Sequence, residues 1–131
     1  KFIFGILADR YGSKISMTID LVGQATFAAL LVYAGTEVPI WLVVPFMGFF
    51  LGAFGALFQL IIMDSFGISH FGSIMGVVSI TNAISFFVGP IIANQSFDLT
   101  GSYGPAFFIT ACIFAVGAFS ISFAKVPKMA R

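Results

Sequence analysis

Charge is what this sequence has least of. Lysine, arginine, aspartate and glutamate together make up 8% of its 131 residues, whereas a soluble domain carries about 25%. So few charges cannot dress a water-exposed globule, nor supply the clustered basic groups of a nucleic-acid interface. There is one cysteine, Cys112, which excludes an intrachain disulfide, and one histidine, His70. No residues stand at metal-ligand spacing, so neither a metal nor a cofactor is expected. No nucleophile, base and orienting partner fall together, and no glycine-rich phosphate loop occurs, so the chain does not read as an enzyme.

What is present is apolar length. Hydrophobic residues make up 60% of the chain, 18 of them Phe, and mean hydropathy is +1.09. Between Glu37 and Asp64 lie 26 uncharged residues, between His70 and Asp98 27, and between Asp98 and Lys125 26. A fourth stretch, 15–36, carries Asp20 as its only charge. About 20 apolar residues at ~1.5 Å each cross a bilayer core. Lipid offers no partner to backbone amides, so each run is read as a helix. The expected fold is therefore all-α: a polytopic transmembrane helix bundle with four full spans, at about 15–34, 40–63, 72–93 and 104–124, plus the end of a preceding one at 2–8. Polar turns are expected at 35–39, 64–71 and 94–104. The chain opens with neither an initiator Met nor a signal peptide, and residues 1–131 are expected to be part of a larger chain.

Basic residues orient the spans, because Lys and Arg are retained on the cytoplasmic side. Lys1, Arg10 and Lys14 precede the first full span, and Lys125, Lys128 and Arg131 follow the fourth. An even number of crossings puts both groups on one face, so the loop 9–14 and the C-terminus are placed in the cytoplasm. The opposite loops carry only Glu37 and Asp98, with Tyr33, Trp41 and Tyr103 near that boundary, where amphipathic aromatics are favoured. Small residues recur at helical spacing, Gly48, Gly52, Ala53, Gly55 and Ala56 in the second span and Gly72, Gly76, Gly89 and Ala93 in the third. They suit close helix packing in lipid, or a contact that rocks. Pro45 and Pro90 fall inside spans and predict a kink or break, with Gly89-Pro90 a candidate hinge.

The run Gly5-Ile6-Leu7-Ala8-Asp9-Arg10-Tyr11-Gly12-Ser13-Lys14 is a charged turn between two apolar stretches. Gly5 would let a neighbouring helix approach, Gly12 would permit a tight reversal, and Asp9 could accept hydrogen bonds or face the positive end of a helix. The run resembles the cytoplasmic loop signature of the major facilitator superfamily, Gly-x-Leu-Ala-Asp-Arg-x-Gly-x-Lys, matching at Gly5, Leu7, Asp9, Arg10, Gly12 and Lys14. The resemblance implies a carboxylate latch at Asp9, with Arg10 and Lys14 as charged neighbours, holding two cytoplasmic helix ends together when the inner gate is shut. The other reading is a solvated loop that only fixes topology, which suits Arg10 and Lys14 better than Asp9.

That superfamily has two halves of six helices, and the signature can occur in each. The second span lacks an Arg, and a short basic tail closely follows the last span. The runs Val88-Gly89-Pro90 and Asp98-Leu99-Thr100-Gly101-Ser102-Tyr103-Gly104-Pro105-Ala106-Phe107 are similar to monocarboxylate-porter-like and oxalate:formate-antiporter-like members. The chain is accordingly read as the C-terminal half, spans nine to twelve, with the N-terminal half of the same polypeptide as its missing partner; spans three to six are the alternative.

Substrate candidates are neutral, because no basic residue lies within a full span. Ser79, Asn82 and Ser85 recur every three residues, and Asn82 falls near the midplane, where transporter sites lie. Interhelical hydrogen bonding, at about 0.6 kcal/mol each, is the other account. Asp20 is the only acid well inside a span, and intramembrane ionisable groups are functional candidates. It is a candidate for proton coupling, against an interfacial position or a pairing with a loop base. Gln24 is expected to matter for stability rather than substrate. The resulting expectation is a multi-pass protein of the lipid bilayer, in the cell membrane, that moves a small solute such as a mono- or dicarboxylate by alternating access, with a coupling proton as a candidate partner. A four-helix membrane scaffold or assembly subunit without transport is the alternative.

Overall fold

Gly12 is the first break the backbone imposes. Its φ of +93° is open to glycine and strained for other residues. Helix α1 (Phe2–Tyr11) ends there, with the Gly12 N–H donating to Ala8 O at 2.9 Å, and helix α2 (Ser13–Val32) begins one residue later. Phe4 of α1 and Phe27 of α2 both lie 5.7 Å from the Phe50 ring, so the chain turns back on itself at Gly12. The computed structural model describes residues 2–33 and 37–124, and for 37–39 only the backbone. Lys1, Gly35, Thr36, Lys125, Lys128 and Arg131, which entered the reading of turns and charge, lie outside the described residues.

Beyond α2 come α3 (Glu37–Phe66), a 3-10 turn at Ile68–His70, α4 (Phe71–Thr100) and α5 (Gly104–Phe123). No strand occurs among the described residues. Among the described residues four helices are long and apolar enough to cross a membrane, and the chain is an integral multi-pass membrane protein. At ~1.5 Å per residue, α2 and α5 reach about 30 Å and α3 and α4 about 45 Å, the latter pair longer than the bilayer core of ~30 Å.

Two expected loops are shorter than the polarity of the sequence implied. The stretch 64–71 is helical to Phe66 and stops at Gly67, φ +76°. The stretch 94–104 is helical to Thr100 and stops at Gly101, φ +69°. Asn94, Gln95 and Asp98 end the apolar run without ending the helix, since polar groups at the interface leave the backbone ladder intact; a left-handed glycine terminates it. Thr100 then donates to Ser102 O at 3.0 Å, and Ser102 Oγ accepts from the Gly104 N–H at 3.1 Å. Phe97 stacks on Tyr103 at 4.8 Å, closing the turn, and Pro105 opens α5, where its missing N–H costs nothing. Neither Pro45 nor Pro90 breaks its helix; each removes one backbone bond from a ladder that neighbouring bonds continue.

Packing centres on α2, which lies most extensively against α5 and then α3. Phe4, Ala8, Met17, Leu21, Ala53, Leu57 and Ala118 form its buried cluster. Among the glycines the tightest contact falls at Gly23, where a Cβ would run into the Phe50 ring. The glycines singled out from the sequence have a different setting: around Gly5, Gly48, Gly52, Gly55, Gly72, Gly76 and Gly89 a Cβ would meet nothing within 4 Å. Spacing alone does not say which face a neighbour covers, and those faces point away from the described helices. No residue of α4 is buried among the described residues.

Candidate functional site

The buried face of α2 is not uniformly apolar. Ser13, Ser16, Asp20 and Gln24 are all buried, and the last three have no exposed surface. Residues four apart stack along one helix face, so Ser16, Asp20 and Gln24 make a polar file through the packed side of α2. The file starts at the reversal, where Ser16 Oγ donates to Gly12 O at 3.1 Å. It ends near mid-helix, Asp20 lying about 10 Å and Gln24 about 16 Å along α2 from Ser13.

At the centre, Gln24 Nε2 donates to Asp20 Oδ2 at 2.8 Å. The other oxygen of each group, Asp20 Oδ1 and Gln24 Oε1, is buried without a hydrogen-bond partner. The register of the helices sets what surrounds them. Phe27 stacks on Phe46, and Gly23 meets Phe50, so antiparallel α3 brings Ala53 to the level of Asp20. Gly117 lies 3.7 Å from Leu21 Cδ1, which brings Ala118 of α5 to the same level. Both alanines are buried. Asp20 therefore sits between packed helices with Gln24 as its hydrogen-bond partner. Neither α3 nor α5 contains a Lys or Arg, so packing excludes a counter-charge there.

The loop signature lies at the Gly12 end of this file. Asp9 and Arg10 are exposed, Lys14 is half-buried, and Arg10 extends over the Tyr11 ring at 5.8 Å. Gly12 performs the reversal expected of it, whereas Gly5 is exposed with open space at its Cβ position. Ser69 and His70, exposed in the next turn on that side, share a hydrogen bond of 3.0 Å.

Ser79, Asn82 and Ser85 are on α4 and exposed. Ser79 Oγ donates to Met75 O at 2.7 Å and Ser85 Oγ to Thr81 O at 3.0 Å, so both serines are satisfied within their own helix. Gly89 and Pro90 lie exposed on the same helix. The structure thus does not join these candidates to Asp20. Gln24 is the group whose part the sequence reading understated. The signal was the four-residue spacing from Ser16 through Asp20 to Gln24, which puts a carboxamide within reach of Asp20. Among the described residues no group of three His, Cys, Asp or Glu is placed to hold a metal ion.

Comparison with known proteins adds the lineage. A family model described as Major Facilitator Superfamily matches residues 1–131. Monocarboxylate transporter 12 of Rattus norvegicus is 33% identical over 90 residues, covering 66% of this chain and 18% of that protein. The Homo sapiens protein of the same name is 32% identical over 93 residues, covering 69% of this chain and 18% of that one. Monocarboxylate transporter 14 of Homo sapiens is 31% identical over 123 residues, 89% of this chain and 23% of that protein. The chain thus spans about a fifth of the length of these relatives. No solved structure matches it.

Proposed function

Because the chain belongs to the major facilitator superfamily, we propose that the whole protein carrying these helices is a secondary transporter that moves a small organic anion, a mono- or dicarboxylate, by alternating access. The observation that carries this reading is the family match along residues 1–131, joined to relatives named as monocarboxylate transporters. The chain stands as the C-terminal part of the bundle, in the cell membrane, with Asp9 and its neighbours as the cytoplasmic gate motif. Gly89-Pro90 is retained as the hinge candidate of α4.

The exposure of α4 supports placing the solute path along it. A thirty-residue helix with no buried side chain leaves faces available to the rest of a transporter. One such face carries Asn82 close to mid-helix. Neutral hydroxyls and an amide can orient a carboxylate by donating hydrogen bonds; the countercharge then has to come from helices outside residues 1–131, since these spans hold no base.

The test is uptake by the full-length protein in sealed proteoliposomes, comparing a labelled short monocarboxylate, a dicarboxylate and a neutral sugar. The expected result is saturable uptake of one carboxylate class, with the transported anion protecting a cysteine at Asn82 from a permeant thiol reagent. Uptake no faster than in empty liposomes for every solute would favour the scaffold reading instead. Uptake without protection at Asn82 would move the path away from α4.

A further inference from the structure

The polar pair inside α2 has half of its hydrogen bonds. Gln24 Nε2 donates to Asp20 Oδ2 at 2.8 Å, and the two atoms left over are both acceptors, one on each group. Neither presents surface to water or to another chain, so no donor outside these helices reaches them without repacking the core. Each of these buried acceptors is left without a donor, which is unfavourable in an apolar interior. An ionised carboxylate without a counter-charge is worse placed still inside a membrane-spanning helix.

A single proton resolves both deficits. Placed on Asp20 Oδ1, it makes that oxygen a donor, and Gln24 Oε1 is the acceptor that lacks one. The result is a closed acid–amide ring with two antiparallel hydrogen bonds, neutral overall and with every polar atom of the pair engaged. We propose that Asp20 and Gln24 form such a ring, a proton-holding site built into the packed face of α2 between α3 and α5.

Charge elsewhere on the neighbouring helices does not compete for this role. On α1 the charged and titratable groups are Asp9, Arg10 and Tyr11, at the loop end. On α3 they are Glu37 and Asp64, near its two ends, and α5 offers only Cys112, which is exposed. On α2 itself Lys14 lies six residues before Asp20, in the first turn. A metal cation is a poor alternative occupant, since two oxygens from adjacent turns fall well short of the six or more that a hard cation takes. Joined to the transport reading, on which this last step rests, the ring is a place where a coupling proton can be stored. The file through Ser16 to Gly12 marks the cytoplasmic side from which it would be approached.

Infrared difference spectroscopy of the full-length protein in lipid tests the ring without any substrate. Wild type minus Asp20→Asn should show a protonated-carboxyl C=O stretch at neutral pH. Asp20→Asn should accumulate like wild type, because an asparagine amide can donate to Gln24 Oε1 and accept from Gln24 Nε2 and so rebuild the ring without a titratable proton. Gln24→Leu keeps the acid and removes its partner, so the band should persist and move to higher frequency. A carboxylate signal from Asp20 at neutral pH would overturn the proposal, and a band that Gln24→Leu leaves unmoved would overturn the ring. These readouts are independent of uptake, so loss of the band with transport intact, or the band with no transport, separates failure of this proposal from failure of the functional one.

Discussion

Asp9 and Asp20 are eleven residues apart, and their surroundings give the same carboxyl group two kinds of chemistry. Asp9 is exposed on the last turn of α1, beside Arg10 and just before the reversal at Gly12. It is placed to engage the positive end of a helix in one conformational state, a contact worth up to about 2 kcal/mol. Asp9→Asn keeps the shape and removes the charge. Insertion and abundance should be unchanged, while initial uptake by the whole protein falls by up to roughly 30-fold, the rate equivalent of that contact. Uptake equal to wild type would leave Asp9 as a topology determinant only. Asp20, with no exposed surface, has no such freedom, and its identity matters through Gln24. The sequence showed the acid and the amide four residues apart, but not that both face inward. Helices that are apolar on nearly every side carry no amphipathic signal to say which stripe is covered, so facing was not readable.

At the scale of elements, the same limit explains the glycines. Helix number and type were legible, because runs of 26 or 27 uncharged residues admit no other structure in lipid. Helix ends were less so, since the polarity at Asn94 and Gln95 marks the lipid boundary while Gly101 marks the backbone stop. The strip at Gly48, Gly52 and Gly55 has the spacing of a contact and lies open, whereas Gly23, isolated in sequence, receives the Phe50 ring. In lipid, apolar burial offers no gain over the tails, so association rests on such close fits. Gly23→Leu should destabilise the whole protein by about 1–3 kcal/mol, the usual cost of overfilling a packed contact, read as a lower unfolding midpoint in lipid or detergent. Phe50→Leu shortens the opposing side chain, so the double variant should be less destabilised than the two single changes added together. Strict additivity would mean that α2 and α3 do not meet at this pair.

For the molecule as a whole, orientation links the candidate gate to the side of the membrane on which it must work. Four crossings from α2 to α5 put the reversal at Gly12 and the turn at Ile68–His70 on one side, and the turn after Gly101 on the other. Basic residues near span ends favour the cytoplasm, and Arg10 and Lys14 flank Gly12. Ser69 and Ser102 are both exposed, one in each class of turn. Ser13 is a poorer reporter because it is buried and would stay unreactive from either side. With Cys112 replaced in the full-length protein, Ser102→Cys should react with an impermeant thiol reagent applied to intact cells, and Ser69→Cys only after the membrane is opened. The reverse pattern would put Asp9 on the outer face, where it could not latch a cytoplasmic gate, and would place the mouth of the Ser16–Asp20–Gln24 file outside as well. The expected pattern leaves both the latch and the entrance to the acid–amide pair facing the cytoplasm, so that one conformational change at the α1–α2 reversal can act on both.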